Sequence, residues 1–151
     1  MSEQALAIAA GLCRRFEGLR LKPYLCPAGV PTIGYGSTRY ADGRAVALRD
    51  APITAAQAEE LLMATLRRDY LPGVLRLSPS LADKPQALGA IVDFAYNLGV
   101  SKYGSSTLRK RIDAGDMAGA RAELSKWVRG GGKVLPGLVA RRAAEAALLE
   151  V

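Results

Sequence analysis

No histidine occurs among the 151 residues, so proton transfer in this chain falls to carboxylates, and Ser-His pairs, Cys-His pairs and His-ligated metal sites are excluded. The carboxylate in the least ordinary company is Glu17. Phe16 precedes it, Gly18, Leu19 and Arg20 follow, and then come Tyr24, Cys26, Gly29 and the run Thr32-Ile33-Gly34-Tyr35-Gly36. Strand alternation would set Thr32, Gly34 and Gly36 on one face and Ile33 and Tyr35 on the other, leaving room for a substrate on a glycine-lined face beside a carboxylate. That arrangement suits general acid catalysis. Spacing alone favours a solvated charge at a helix end, with the glycines serving only turns.

Leu6, Ala9, Leu12, Cys13 and Phe16 recur at helical spacing, which predicts a helix ending just before position 19 with Glu17 in its last turn. From Leu19 to Leu48 the prolines and glycines interleave with Tyr24, Val30, Ile33, Tyr35 and Tyr40. That texture predicts a small antiparallel sheet, with Asp42-Gly43 as a hairpin turn whose two central residues take positive φ. Beyond Pro52 the chain reads as helical. Thr54-x-x-Gln57 is a capping box before the stripe Ala58, Leu61, Leu62, Thr65 and Leu66, and Pro72-Gly73 is expected to end or kink that helix. Asp83 as a side-chain cap and Pro85 in the first turn open the expected central core helix, which runs through Leu88, Ile91, Val92, Ala95 and Tyr96 to a stop at Gly99. Short helices are expected at Ser106 to Ala114 and Asp116 to Trp127, then a loose Gly130-Gly131-Gly132 loop, then a last helix from about Gly137 to Leu149. The expected class is α+β in a single domain, 1–151, with a β lobe at about 19–50 and helical parts at about 1–18 and 51–151.

Lys plus Arg number 21 against 14 Asp plus Glu, a net charge of +7 that favours nucleic acid, acidic lipid or a charged cell-wall polymer as partner. The two cysteines, Cys13 and Cys26, make neither a disulfide framework nor a four-thiolate zinc pattern, so no metal and no cofactor is expected. The Ala-rich stretch Ala5 to Cys13 is far shorter than the roughly 20 apolar residues of a membrane span, and Arg14 and Arg15 follow it rather than precede it. The expectation is a protein made in a cytoplasm without export signal or anchor.

The string FEGLRLKPYLCPAGVPTIGYG resembles the catalytic segment of the phage-type, T4-like lysozymes and endolysins, glycoside hydrolase family 24. Their signature is Glu, eight residues, Asp or Cys, five residues, Thr, and here it reads Glu17, Cys26 and Thr32. VDFAYNLG at Val92 to Gly99, STLRK at Ser106 to Lys110, Trp127, and LPGLVARRAAE at Leu135 to Glu145 follow in the family's order, so the resemblance covers nearly the whole chain. It implies a lysozyme-like fold with a cleft between sheet and helical lobe. The implied activity is that of a muramidase endolysin, hydrolysing the β-1,4 bond between N-acetylmuramic acid and N-acetylglucosamine in peptidoglycan and lysing the host for phage release. The partner it implies is the glycan strand of the cell wall, reached after release from the host cytoplasm. A monomer is expected, with no nucleic acid and no stable membrane insertion.

By the same resemblance Glu17 is the general acid, which calls for partial burial that raises its pKa and for a group that positions it. Arg141 or Arg142 would supply that group, since the family sets an arginine of the last helix against the Glu; a solvated surface pair is the other reading. Cys26 replaces the Asp of many members, and a thiol is mostly neutral at pH 7. Water positioning then falls to Thr32 with Cys26 assisting, and inversion is preferred over a covalent thioglycosyl intermediate. Thr38, Tyr96, Asn97 and Thr107 are the implied sugar contacts, although Tyr96 also fits the core and Asn97 a helix C-terminus. Asp93 is a second acid that could reach the cleft or bond to neighbouring backbone. A Cys13–Cys26 bridge is geometrically possible, with a buried structural thiol as the default for Cys13. The competing functions are a lytic transglycosylase, which needs one Glu and no water and leaves anhydro-muramic ends, and a non-enzymatic binder of anionic polymers, suggested by the charge and by Arg109-Lys110-Arg111.

Overall fold

A computed structural model describes residues 2–149. Helix α1, Ser2–Glu17, buries Ala5, Leu6, Ala9, Ala10, Leu12 and Cys13 on one stripe. It lies along α4, Pro85–Leu98, in the most extensive helix contact of the described residues. Gly89 permits that approach, because a Cβ there would stand 2.6 Å from Cγ2 of Ile8. The seating of α1 on α4 decides where Glu17, at the far end of α1, meets the last turns of α4. Around the pair, Leu62, Leu66, Val74, Leu81, Leu108, Ile112, Leu124 and Leu149 complete the main core. Each such side chain, removed from water, contributes about 1.5–3 kcal/mol.

The β lobe holds the expected small antiparallel sheet. Strands β1, Arg20–Leu25, and β2, Pro31–Gly34, pair antiparallel, with Arg20 opposite Gly34 and Tyr24 opposite Thr32. Two more residues lie between the pairs on β1 than on β2, and Pro23, which has no N–H to give, sits in that irregular stretch. Isolated bridges join Ile33 to Ser37 and Arg39 to Ala45, and a second small cluster of Ile33, Val46 and Leu61 seats the lobe on α2, Ala55–Thr65. The glycine alternation fails because β2 ends at Gly34: Gly34, at φ 69°, faces Ala58 and Ile53, and only Gly36 faces Glu17. Asp42-Gly43 does turn the chain, but Gly43 alone has positive φ, at 89°, and Gly43 N–H donates to Tyr40 O at 2.9 Å. This three-residue loop spares Asp42 the left-handed conformation.

In the helical part the capping box at Thr54 and Gln57 forms as read. Pro72-Gly73 does not end the helical run; the hydrogen-bond register instead widens over Leu66–Tyr70 and resumes as α3, Leu71–Leu77, with Pro72 in the first turn where no donor is needed. Asp83 does not cap α4: Lys84 occupies the cap position without a side-chain bond, and Asp83 pairs with the Lys84 ammonium at 3.2 Å. A short α5, Val100–Ser105, precedes α6, Thr107–Asp113, and α7, Met117–Leu124, which are capped by Ser106 and Asp116. The glycine run is an ordered hairpin of β3, Arg129–Gly130, and β4, Lys133–Val134. Gly131 and Gly132, at φ 58° and 79°, supply the two positive φ values of its turn. Helix α8, Pro136–Ala147, closes the fold, and its buried residues include Arg141, Arg142 and Glu145. The class is α+β, a small sheet leading into a helical lobe.

Candidate active site

Glu17 is the last residue of α1, and Gly18, at φ 75°, turns the chain from there toward β1. The Glu17 side chain is 22% exposed. Its Oε2 accepts from Arg141 Nη1 at 2.7 Å. The same guanidinium donates from Nε and Nη2 to the two oxygens of Asp93, at 2.9 and 2.7 Å, a bidentate pair that fixes its plane. Asp93 is fully buried on α4 and does not reach the cleft. It also accepts from Cys13 Sγ at 3.3 Å. Burial first, then the negative charge of Asp93, pushes the Cys13 thiol far above the usual thiol range.

The other carboxylate oxygen, Oε1, faces the β lobe. A Cβ on Gly36 would stand 3.3 Å from it and 3.4 Å from Tyr96 Oη, and Gly36 has φ 92°. Gly36→Ala is therefore expected to lose about 1–3 kcal/mol through backbone strain. By crowding the acid it should also lower activity at least about tenfold. Urea unfolding and rate measurements on one preparation check both. Tyr96 Oη donates to Tyr35 O at 2.6 Å, pinning the exit of β2 to α4, and its ring meets Tyr70 edge-on at 5.1 Å.

Arg142 does a different job from its neighbour. Its Nη2 donates to Asn97 Oδ1 at 2.8 Å and to Glu145 Oε2 at 3.0 Å, while Nε lies 2.8 Å from Glu145 Oε1. Burial, then the bond to Asp93, holds the Glu145 carboxyl well above the carboxylate range. Burial would also raise Asp93, but hydrogen bonds from Glu145 and Arg141 outweigh it and Asp93 is lowered. A carboxyl raised by folding stabilises most below its unfolded pKa of about 4.3, and that contribution is lost as pH rises toward the folded value. Glu145→Gln, which cannot ionise, is thus expected to gain in melting temperature relative to wild type as pH rises above the unfolded value; a constant difference would refute this.

Cys26 opens the loop between β1 and β2, where its N–H donates to Val30 O at 3.0 Å and its carbonyl accepts from Gly29 at 2.8 Å. The Val30 backbone N–H is the largest influence lowering the Cys26 thiol, and Ala28, Gly29 and the Thr32 hydroxyl assist against a weaker desolvation. Thr32 is buried, and its Oγ1 donates to Val30 O at 2.8 Å, so its single proton serves either that carbonyl or the sulfur. Tyr24 is raised by burial and further by both Glu17 and Cys26, so the two groups act on one phenol. Both cysteines are free. Iodoacetamide at neutral pH is expected to label Cys26 alone, with Cys13 reacting only after unfolding, as mass spectrometry of the intact chain would read.

Two grooves lie on this side of the protein, one lined by Glu17 and the other by Gly36, which faces Glu17. One, of about 400 Å³, is lined by Phe16, Glu17, Asn97, Leu135, Leu138 and Arg141. The other, of about 350 Å³, is lined by residues including Ser37, Thr38, Thr65, Asp69, Tyr70 and Tyr96. Asn97 thus shares the first groove with Glu17, Thr38 and Tyr96 line the second, and Thr107 is exposed at the start of α6 and lines neither. A further concavity of about 380 Å³ lies against Gln4, Lys84 and Leu148, toward the opposite end of α1 from Glu17. Sequence reasoning did not give Asp93 its bidentate role, and it missed Glu145, Ser37 and Thr65. The hydroxyls of Ser37 and Thr65 are buried without a partner in the polar groove. The overlooked signal for Glu145 is Arg142-Ala143-Ala144-Glu145, an i,i+3 charge pair set in an Ala-rich helix.

The profile described as Phage lysozyme matches residues 14–145. The chain is 38% identical over 143 residues to an endolysin of Acyrthosiphon pisum secondary endosymbiont phage 1, covering 92% of both. Its fold matches an endolysin from Escherichia coli O157:H7 phage FAHEc1 with TM-score 0.80 and 33% identity, covering 94% of this chain and 90% of that one. It also matches the muramidase domain of SpmX from Asticaccaulis excentricus with TM-score 0.78 and 28% identity, covering 95% of each. With the profile spanning both the Glu17 segment and the arginines of α8, the chain belongs to the phage lysozyme family.

Proposed function

We propose that Glu17 is the general acid of an endolysin that hydrolyses the β-1,4 bond between N-acetylmuramic acid and N-acetylglucosamine, with inversion at the cleaved carbon. The observation that carries this reading is the asymmetric setting of Glu17: Oε2 is held by a buried guanidinium, and Oε1 looks across Gly36 between two grooves. A carboxyl held by one oxygen can present the other, protonated, to a glycosidic oxygen without losing its aim. As the bond breaks, positive charge develops on the sugar and water enters from the opposite face. Thr32 orients that water, and Cys26 supplies a polarising sulfur, aided by the backbone N–H groups that favour its thiolate. Tyr96, Asn97 and Thr38 contact the sugars, and the unpaired hydroxyls of Ser37 and Thr65 meet sugar hydroxyls in the polar groove. Thr107 remains a proposed contact for an outlying part of the glycan.

The partner is the glycan strand of peptidoglycan, engaged by a monomer whose +7 charge favours an anionic wall. Among the described residues no helix is long and apolar enough to cross a membrane. Digestion of purified peptidoglycan, with products resolved by mass spectrometry and by the anomeric proton in NMR, tests the reading. New reducing muramic ends released first as the α-anomer are expected. Anhydro-muramic ends, lighter by one water, would make the protein a transglycosylase, and an initial β-anomer would replace inversion by retention. Cys26→Asp should stay active if the position orients water, and full activity in Cys26→Ala would remove Cys26 from the mechanism.

A further inference from the structure

Asp93 and Asn97 lie four residues apart on α4 and so on one face of it, and α8 sets its arginine doublet against them. The donations from the two guanidiniums do not cross, Arg141 giving to Asp93 and Glu17 and Arg142 to Asn97 and Glu145, and the two halves touch where Glu145 bonds to Asp93. All four ionisable groups behind Glu17 are buried, with Asp93 and Glu145 at 0% and Arg141 and Arg142 at 3% and 1% exposure. The charged members of such a cluster carry a desolvation penalty of several kcal/mol each, and apolar side chains would pack α8 on α4 as well. Their presence therefore calls for a task other than packing. Glu17 and Asn97 are the two groove-lining groups that the doublet reaches. Because Arg142 occupies Asn97 Oδ1, the Asn97 amide nitrogen is left as the donor it can offer to a ligand.

We propose that Asp93 and Glu145 are positioning residues that divide the arginine doublet between two tasks. Asp93, through Arg141, aims Glu17 for proton transfer; Glu145, through Arg142, turns Asn97 so that its amide nitrogen donates to an acceptor oxygen of the sugar, such as an acetamido carbonyl or a hydroxyl. This rests on Glu17 being the general acid. Losing the aim of the acid slows the chemical step, whereas losing one hydrogen bond to the bound sugar weakens binding.

Steady-state kinetics on soluble peptidoglycan fragments, with melting temperatures alongside, separate the two tasks. Asp93→Asn is expected to lower kcat at least about tenfold with KM changed by less than about twofold. Glu145→Met and Asn97→Ala are each expected to raise KM about five- to tenfold with kcat nearly unchanged, and the double variant should be no worse than the worse single. Glu145→Gln keeps an oxygen for Arg142 and should restore KM. If Glu145→Met does not fold, Arg142→Lys takes its place in the same cycle, since lysine keeps the charge beside Glu145 but lacks the guanidinium fork. Proportional changes in kcat and KM for Asp93→Asn and Glu145→Met, or a double variant whose losses multiply, would overturn the division. Wild-type activity in Glu17→Gln would instead overturn the general-acid reading on which it stands.

Discussion

Glu17→Gln is expected to lower the rate by on the order of 10²–10⁴ while leaving the fold intact, since general acid catalysis typically contributes that much. The amide has nearly the shape of the carboxyl but no acidic proton to give to a departing sugar. Its oxygen can take the place of Oε2 opposite Arg141 Nη1, now 2.7 Å away. The guanidinium keeps its bidentate partner in Asp93, so no buried cation is stranded. Release of reducing ends and the melting temperature should be followed on the same sample. A folded variant within about tenfold of wild type would sink the assignment, because the oxygens of the amide and of the positioning network would then suffice.

The second large effect falls on stability. Arg141→Met is expected to cost about 3–5 kcal/mol, the usual penalty for breaking a buried ion pair from one side. For a domain of this size that is a fall of roughly 6–20 °C in melting temperature. Asp93, at 0% exposure, would retain only Cys13 and Glu145 as hydrogen-bond partners and would have to bind a proton to stay buried. Activity should fall about 100-fold as well, since Glu17 loses its one fixed oxygen. The companion variant Asp93→Leu/Arg141→Met removes both charges; it should recover much of the stability and none of the activity. A single variant melting within about 2 °C of wild type would show that the pair is not the structural centre its burial indicates.

Helices α1 and α4 were legible because each shows a clear apolar stripe of helical period over several turns, and Gly18 and Gly99 close them at the residues read from sequence. The β3–β4 hairpin was not, since strands of two residues show no alternation and three adjacent glycines look like slack chain. The alternation of Thr32, Gly34 and Gly36 misled because it assumed a strand that continues, whereas β2 ends at Gly34. Asp83 misled in the same way: a capping residue type one position early, beside a lysine able to pair with it, makes a salt bridge instead.

From the sequence alone came the α+β class, which rests on local periodicity, and the family resemblance with its signature Glu17, Cys26, Thr32, which rests on residue type at fixed spacing. Only the tertiary structure decided which arginine serves Glu17. Residues 141 and 142 are chemically identical and point about 100° apart on a helix. The rotation of α8 against α4, set by packing, aims one at Asp93 and Glu17 and the other at Asn97 and Glu145. The fate of the two thiols was decided the same way. Their type is equal in the chain, but burial beside Asp93 silences Cys13, while the backbone N–H groups of an open turn favour the thiolate of Cys26.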